Sequence, residues 1–218
     1  MKTVVICGGG PVNELMSFQP SSCNEDIIYI GADRGALTLL EMGFEPNEAV
    51  GDFDSLTSEE FLHLQKTVKG IESVSSEKDE TDVELAIAKA LTFQPTHVVI
   101  TGVTGGRLDH FMAVLNSVYR FQTTFPKINF KIVNKWNELI LLSPGKHELI
   151  ENNDYLYISF FAFQDSVTEV TLNGFKYNVK NEIIEMGNSR FTSNELLHEV
   201  GSISFASGIC LVIRSSDE

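Results

Sequence analysis

Asp52 and Asp54 stand two residues apart in the segment GDFDS at 51–55. In an extended segment alternate residues face the same way, so both carboxylates can converge on one cation while Phe53 points into the core. Two close carboxylates repel each other, and without a cation or an arginine between them one has its pKa raised; Mg2+ is the natural relief. The competing reading makes Asp52 the end of a turn and Asp54 with Ser55 the cap of the next helix. A second acidic segment, EKDETD at 77–82, carries Asp79, Glu80 and Asp82 around Thr81, more acids than a helix start needs. Free backbone N–H groups there favour an anion, and Lys78 has the reach for a phosphate.

Three further segments have the same character. CGGGP at 7–11 and TGVTGGRLDH at 101–110 are glycine turns; Gly9 and Gly10 would let backbone approach a phosphate, while Arg107, Asp109 and His110 add a planar cation, an acid and the one histidine worth watching. GADRGA at 31–36 adds Asp33 and Arg34. Arg107 could also simply pair with Asp109 or another surface acid. Arg34, Lys78 and Arg107 beside these acids and turns suggest a phosphate site with Mg2+. There is no GxxxxGK[ST], no GxGxxG opening a helix and no HRD or DFG set, so the cradle is of another kind.

All five segments follow β-like runs. The runs are TVVI (3–6), IIYI (27–30), a weaker stretch before GDFDS, IESV (71–74) and HVVIT (97–101), with FKIV (130–133) after them. Between them lie stretches of helical period at 33–42, 58–68, 81–91 and 107–121, and Thr57 with Glu60 and Thr81 with Glu84 read as capping boxes. Strand and helix alternating at this spacing imply parallel strands with crossover helices, whose ligands lie beyond the carboxyl ends of the strands. After Trp136 the texture changes to β-like runs at 139–142, 155–163, 167–172, 183–186 and 203–213, separated by PGK, NND, NGF, GNS and ASG. The NGF turn at 173–175 is the firmest hairpin. The expected fold class is therefore α/β: an N-terminal parallel-sheet domain with crossover helices over 1–132, then a C-terminal antiparallel sandwich or barrel over 133–218.

Composition narrows the function. With 30 acidic and 16 basic side chains the formal charge is −14, which disfavours a nucleic-acid or anionic-membrane partner, since both need a basic face. No apolar run nears the roughly 18 residues that span a bilayer, and MKTVVICGGGP is too short in apolar residues for a secretory segment, so a cytoplasmic protein is expected. Cys7, Cys23 and Cys210, widely spaced and odd in number, read as reduced thiols.

GADRGA, GDFDS, EKDETD and TGGRLDH, in this order and spacing, resemble the thiamine pyrophosphokinase family, and TSNEL at 192–196 with GICLVIRSSD at 208–217 resemble its thiamine-binding part. The resemblance covers essentially the whole chain and implies that the α/β domain over 1–132 binds nucleotide and that the domain over 133–218 is a β-sandwich that binds thiamine. It implies transfer of the pyrophosphoryl group of ATP to the hydroxyethyl oxygen of thiamine, giving thiamine diphosphate and AMP, by a homodimer with the thiamine site near the subunit interface. It also implies Mg2+ on Asp52, Asp54 and Asp82, and nucleotide near Asp33. Lys78, Asp79 and Thr81 would reach triphosphate and substrate, Arg107 and Asp109 would belong to the glycine loop, and Ser193, with Asn194 beside it, would contact thiamine. Asp79 or Asp82 would serve as base. The family's eukaryotic members stack a late tryptophan on thiamine, whereas the only tryptophan here is Trp136. Other readings keep the Mg2+/ATP machinery with a different acceptor, such as a pterin alcohol or water, or make the chain a nucleotide sensor.

Overall fold

A computed structural model describes residues 1–16, 26–75, 77 and 79–217 of the chain; Cys23 and Lys78 lie outside the described residues. The chain divides into two compact units, Met1–Lys135 and Trp136–Glu218. The architecture is mixed α/β, with a parallel sheet in the first unit and antiparallel strands in the second.

The first unit contains β1 (Lys2–Cys7), β2 (Asp26–Ala32), α1 (Gly35–Glu41), β3 (Glu48–Gly51), α2 (Ser58–Thr67), β4 (Gly70–Ser73), α3 (Asp82–Leu91), β5 (His97–Thr101), α4 (Leu108–Thr124) and β6 (Asn129–Val133). Its strands run parallel in the order β4-β3-β2-β1-β5-β6. Val4, Ile6, Ile30, Val98 and Ile100, in register on one face, are fully buried, and Val5 and Cys7 on the other face are buried too, as a sheet covered on both faces requires. The chain winds one way from β1 to β4 and then returns to the far side of β1 with β5. That reversal makes the β1/β5 boundary a topological switch point, where loops diverge and leave a crevice.

Helix starts differ in detail from the sequence reading. Thr57 and Glu60 form the full reciprocal box at α2. At α3 only half is present: Thr81 Oγ1 accepts from Glu84 N at 3.2 Å. The Glu84 carboxylate turns instead to the Ser117 hydroxyl at 3.2 Å and to Arg120, so packing of α3 beside α4 outbids the cap.

The second unit contains β7 (Asn137–Leu142), β8 (Gly145–Ile150), β9 (Tyr157–Asn173), β10 (Val179–Ile184), β11 (Asn194–Glu195), β12 (Val200–Phe205) and β13 (Ser207–Ser215). The seventeen-residue β9 organises it. Its first half pairs with β13 and β11, its second half with β10 and β12; β7 adds to β13 and β8 to β12. The two runs expected at 155–163 and 167–172 are thus one strand, continued through a kink where Gln164 has φ 71°. Conversely the single run expected at 203–213 folds back at Ala206, giving β12 and β13. The NGF segment does lie in a hairpin, but the connection from Asn173 to Val179 is longer than a tight turn, and Asn178 Oδ1 accepts from Phe175 N at 3.0 Å within it. Phe160 and Phe175 meet edge to face at 5.5 Å in the core of this unit. Buried Arg214 on β13 pairs with Glu138 on β7 at 3.4 Å and donates to Ile150 O on β8 at 2.7 Å.

Candidate active site

The first unit opens a cleft of about 460 Å³ at the carboxyl ends of β1 and β5. One wall is glycine backbone. Gly8 N donates to Thr101 O at 2.8 Å and Gly10 N to Gly102 O at 2.7 Å, so the two loops lie directly against each other. A Cβ on Gly10 would sit 2.6 Å from Gly102 O, and Gly102, at φ +68°, would put one 2.5 Å from Gly8 O. Bare backbone is therefore compulsory there, and it is what a triphosphate can approach closely. Gly9, Gly10, Asp33, Thr81, Asp82, Arg107 and His110 all line this one cleft, although they come from four separate loops.

Carboxylates gather beside it. Asp33, Asp52 and Asp54 each bring an oxygen within 4.8 Å of the others. Asp33 also lines the cleft, which makes it the link between the acidic cluster and the glycine wall. Its backbone is left-handed at φ 50° and its N–H donates to Val50 O at 2.9 Å, which fastens the end of β2 to the end of β3. The Asp52–Asp54 pair converges by a route other than the extended pleat expected from the sequence. β3 ends at Gly51, and Phe53 takes φ 57°, folding the chain so that Asp54 N donates to Asp52 Oδ1 at 3.1 Å. An aromatic residue resists that conformation; burial holds Phe53 in it, among Ala36, Ala49, Leu64 and Val68 and against Phe61 at 5.3 Å. Neither Asp54 nor Ser55 caps α2, since Thr57 does.

The electrostatics match the crowding. The Asp54 pKa is raised, first by the neighbouring Asp52 charge, then by desolvation and by Asp33, with Asp82 adding to it. Asp82, in the first turn of α3, thus acts on the cluster through its charge. Asp33 Oδ1 is buried and has no hydrogen-bond partner, while Oδ2 accepts from the Ser55 hydroxyl at 2.7 Å. An uncommitted buried carboxylate oxygen beside two like-charged groups suits a divalent cation bound by oxygen ligands. The donor set therefore fits Mg2+.

Among the described residues, Arg34 and Arg107 are engaged within the protein. Arg34 donates to Ser55 O at 3.1 Å and to Glu60 Oε1 at 3.0 Å. Arg107 grips Asp109, from Nε to Oδ1 at 3.1 Å and from Nη2 to Oδ2 at 2.6 Å, and His110 N also donates to Oδ1. Asp79 is exposed ahead of α3. Ser55 and Glu60, which the sequence reading gave no part in the site, are drawn in by these bonds; the serine ending GDFDS was the available signal.

In the second unit Ser193 has φ 56° and its N–H donates to Ser159 Oγ at 2.9 Å. Asn194 is buried and its side chain works on backbone: Oδ1 accepts from Tyr177 N and Nδ2 donates to Tyr177 O. Its amide therefore braces the segment around Tyr177 and presents Ser193 next to it.

Residues 20–131 match the family model described as thiamin pyrophosphokinase, catalytic domain, and residues 146–210 the one described as thiamin pyrophosphokinase, vitamin B1 binding domain. The chain is 40% identical, over all of both sequences, to a thiamine pyrophosphokinase of Bacillus subtilis. A crystal structure of the Bacillus subtilis thiamine pyrophosphokinase superposes with a TM-score of 0.89 at 37% identity, covering 99% of this chain and 100% of that one. A thiamin pyrophosphokinase family protein from Enterococcus faecalis gives 0.89 at 31% identity, with both chains fully covered.

Proposed function

The chain belongs to the thiamine pyrophosphokinase family and transfers the pyrophosphoryl group of ATP to thiamine, giving thiamine diphosphate and AMP, and we propose that it does so with Mg2+ held by Asp33, Asp52 and Asp54. The observation that carries the metal assignment is the buried, unpartnered Asp33 Oδ1 beside the other two carboxylates. Asp82, whose charge already reaches Asp54, completes the acidic set. Bound there, Mg2+ would neutralise charge on the phosphate oxygens and so favour attack by a hydroxyl.

The protein's own contribution is alignment and charge. Pyrophosphoryl transfer needs an oxygen nucleophile in line with the β-phosphorus and little covalent chemistry from side chains. In this reading the glycine wall around Gly9 and Gly10 lets the triphosphate approach bare backbone, Lys78 and Arg107 supply positive charge to it, and His110 lines the cleft with Arg107. Arg107 reaches the phosphates already oriented by Asp109. Of the two candidate bases this reading takes Asp79, exposed ahead of α3, because Asp82 belongs to the acidic set and a carboxylate committed to a cation is a poor proton acceptor. Thr81 caps α3 and so turns that helix N-terminus toward the cleft it lines.

The second unit, in this reading a β-sandwich, binds thiamine through Ser193, whose backbone Ser159 Oγ holds, with Asn194 beside it bracing the segment around Tyr177. The active form is a homodimer with thiamine held near the subunit interface; Ile150, Leu156, Leu197 and Val200 of this unit are exposed apolar side chains that a second copy would cover. AMP release from ATP, measured with and without thiamine, tests the whole. Thiamine-dependent AMP is expected. AMP formed only when a pterin alcohol is supplied in place of thiamine would instead indicate that acceptor, ADP with phosphate formed without thiamine would indicate water, and no turnover would indicate a sensor.

A further inference from the structure

Ser55 is joined to the β2–α1 turn in two directions. Its hydroxyl donates to Asp33 Oδ2 at 2.7 Å, and its carbonyl accepts from the guanidinium of the next residue, Arg34, at 3.1 Å. Arg34 is fixed in turn by Glu60 Oε1 at 3.0 Å, and the other oxygen of Glu60 accepts from Thr57 N at 2.8 Å in the capping box of α2. The first turn of a helix thereby anchors a serine to an aspartate. Gly51 packs closely on the Asp33 backbone, where a Cβ would lie 3.1 Å from its Cα and N.

This anchoring has work to do. Three carboxylates within 4.8 Å repel, and the cheapest relief for a carboxylate is rotation of its terminal torsion, which is broad and weakly restrained. A donor on one oxygen removes that freedom. We propose that Ser55 is a positioning residue for the metal site: by holding Oδ2 it sets the plane of the Asp33 carboxylate and leaves Oδ1 for the cation shared with Asp52 and Asp54. The proposal rests on the metal assignment made above. Hydrogen bonds of this outer kind orient ligands elsewhere, and losing one weakens metal binding about tenfold or more.

The test titrates Mn2+, as a paramagnetic substitute for Mg2+, into the full chain with an unreactive ATP analogue, reading free Mn2+ by electron paramagnetic resonance. Ser55→Ala should weaken Mn2+ binding about tenfold and lower kcat with the KM for thiamine little changed, at an unchanged thermal midpoint, and Ser55→Thr should restore both. Wild-type affinity in Ser55→Ala overturns the proposal, as does a loss that comes with a fallen midpoint and is not repaired by threonine. Metal binding is read without turnover, so a wild-type chain that binds Mn2+ yet makes no AMP defeats the functional reading alone. A wild-type chain that binds no Mn2+ defeats the metal assignment, and the role of Ser55 with it.

Discussion

The Arg107 guanidinium holds the Asp109 carboxylate through two hydrogen bonds at 3.1 and 2.6 Å, although both side chains are mostly solvent-exposed. Arg107 thereby lowers the Asp109 pKa to about 2, with a further contribution from the His110 N–H. A carboxylate whose pKa is lower folded than unfolded stabilises the fold above its unfolded value and loses that effect as pH falls toward the folded one. The window for Asp109 therefore lies between the ordinary aspartate value and about 2, and exposure keeps the effect small. Asp109→Asn is expected to leave the thermal midpoint and the shape of the pH–rate profile near neutrality unchanged while raising the KM for ATP, because Arg107 loses its orientation. A stability loss with wild-type KM would make the pair purely structural.

Asp54→Asn removes one of three mutually repelling charges. In metal-free buffer its thermal midpoint should equal or slightly exceed that of the wild type, since the Asp54 pKa is raised by its neighbours. With Mg2+ and an ATP analogue the wild type should gain stability through ligand binding and the variant should not. Turnover should drop by orders of magnitude. Differential scanning fluorimetry with and without the ligand pair reads the first two outcomes and AMP release the third.

Phe53→Ala should cost about 3–5 kcal/mol in chemical denaturation, the usual loss for a large buried aromatic. It should also reduce activity in the surviving folded fraction, because burial of that ring holds the left-handed turn between Asp52 and Asp54. Phe53→Leu, which keeps much of the apolar volume, should recover most of the stability. Equal activity in all three proteins, at matched folded fraction, would separate the turn from the chemistry.

Ser193→Ala should raise the KM for thiamine more than that for ATP. Asn194→Ala should act differently, destabilising the second unit by leaving the Tyr177 backbone groups without partners. An effect of Ser193→Ala confined to ATP would remove it from the thiamine site.

How far these features could be read in the sequence depended on the range of the interaction. The alternation of strand and helix in the first unit, the capping box at Thr57 and the burial of Phe53 follow from neighbours within a turn or two, and the structure has them. The grouping of Asp33 with Asp52 and Asp54 depends on β2 lying beside β3, joined by Asp33 N to Val50 O, a tertiary fact that spacing along the chain does not carry. The family resemblance, and not spacing, put Asp33 near the nucleotide and Asp82 with the cation, and both residues line the cleft. The half-formed box at Thr81 was misread for the same reason, since its Glu84 is claimed by α4, which lies across the sheet in sequence but adjacent in space. In the second unit local pattern marked β texture well and strand ends poorly: Gln-Asp-Ser at 164–166 resembles a turn yet lies within β9, and β8, with its Lys, His and Glu, was missed. Edge and bulged strands are half solvated, so their sequences lack the apolar run that betrays a buried one.

The position of β13 also fixes an order of events during synthesis. The first unit's sheet is complete once β6 has emerged, each strand having found a partner among those already made, β5 by returning to β1. The second unit cannot close in that way. β7 and most of the first half of β9 wait for β13, and buried Glu138 waits for Arg214, so this part of the unit lacks its partner strand until residue 215 has been made. Contacts so distant along the chain form slowly and leave strand edges open meanwhile. The nascent chain therefore carries a finished first unit and an unfinished second one, and the interval between them is when a chaperone or a protease would find it.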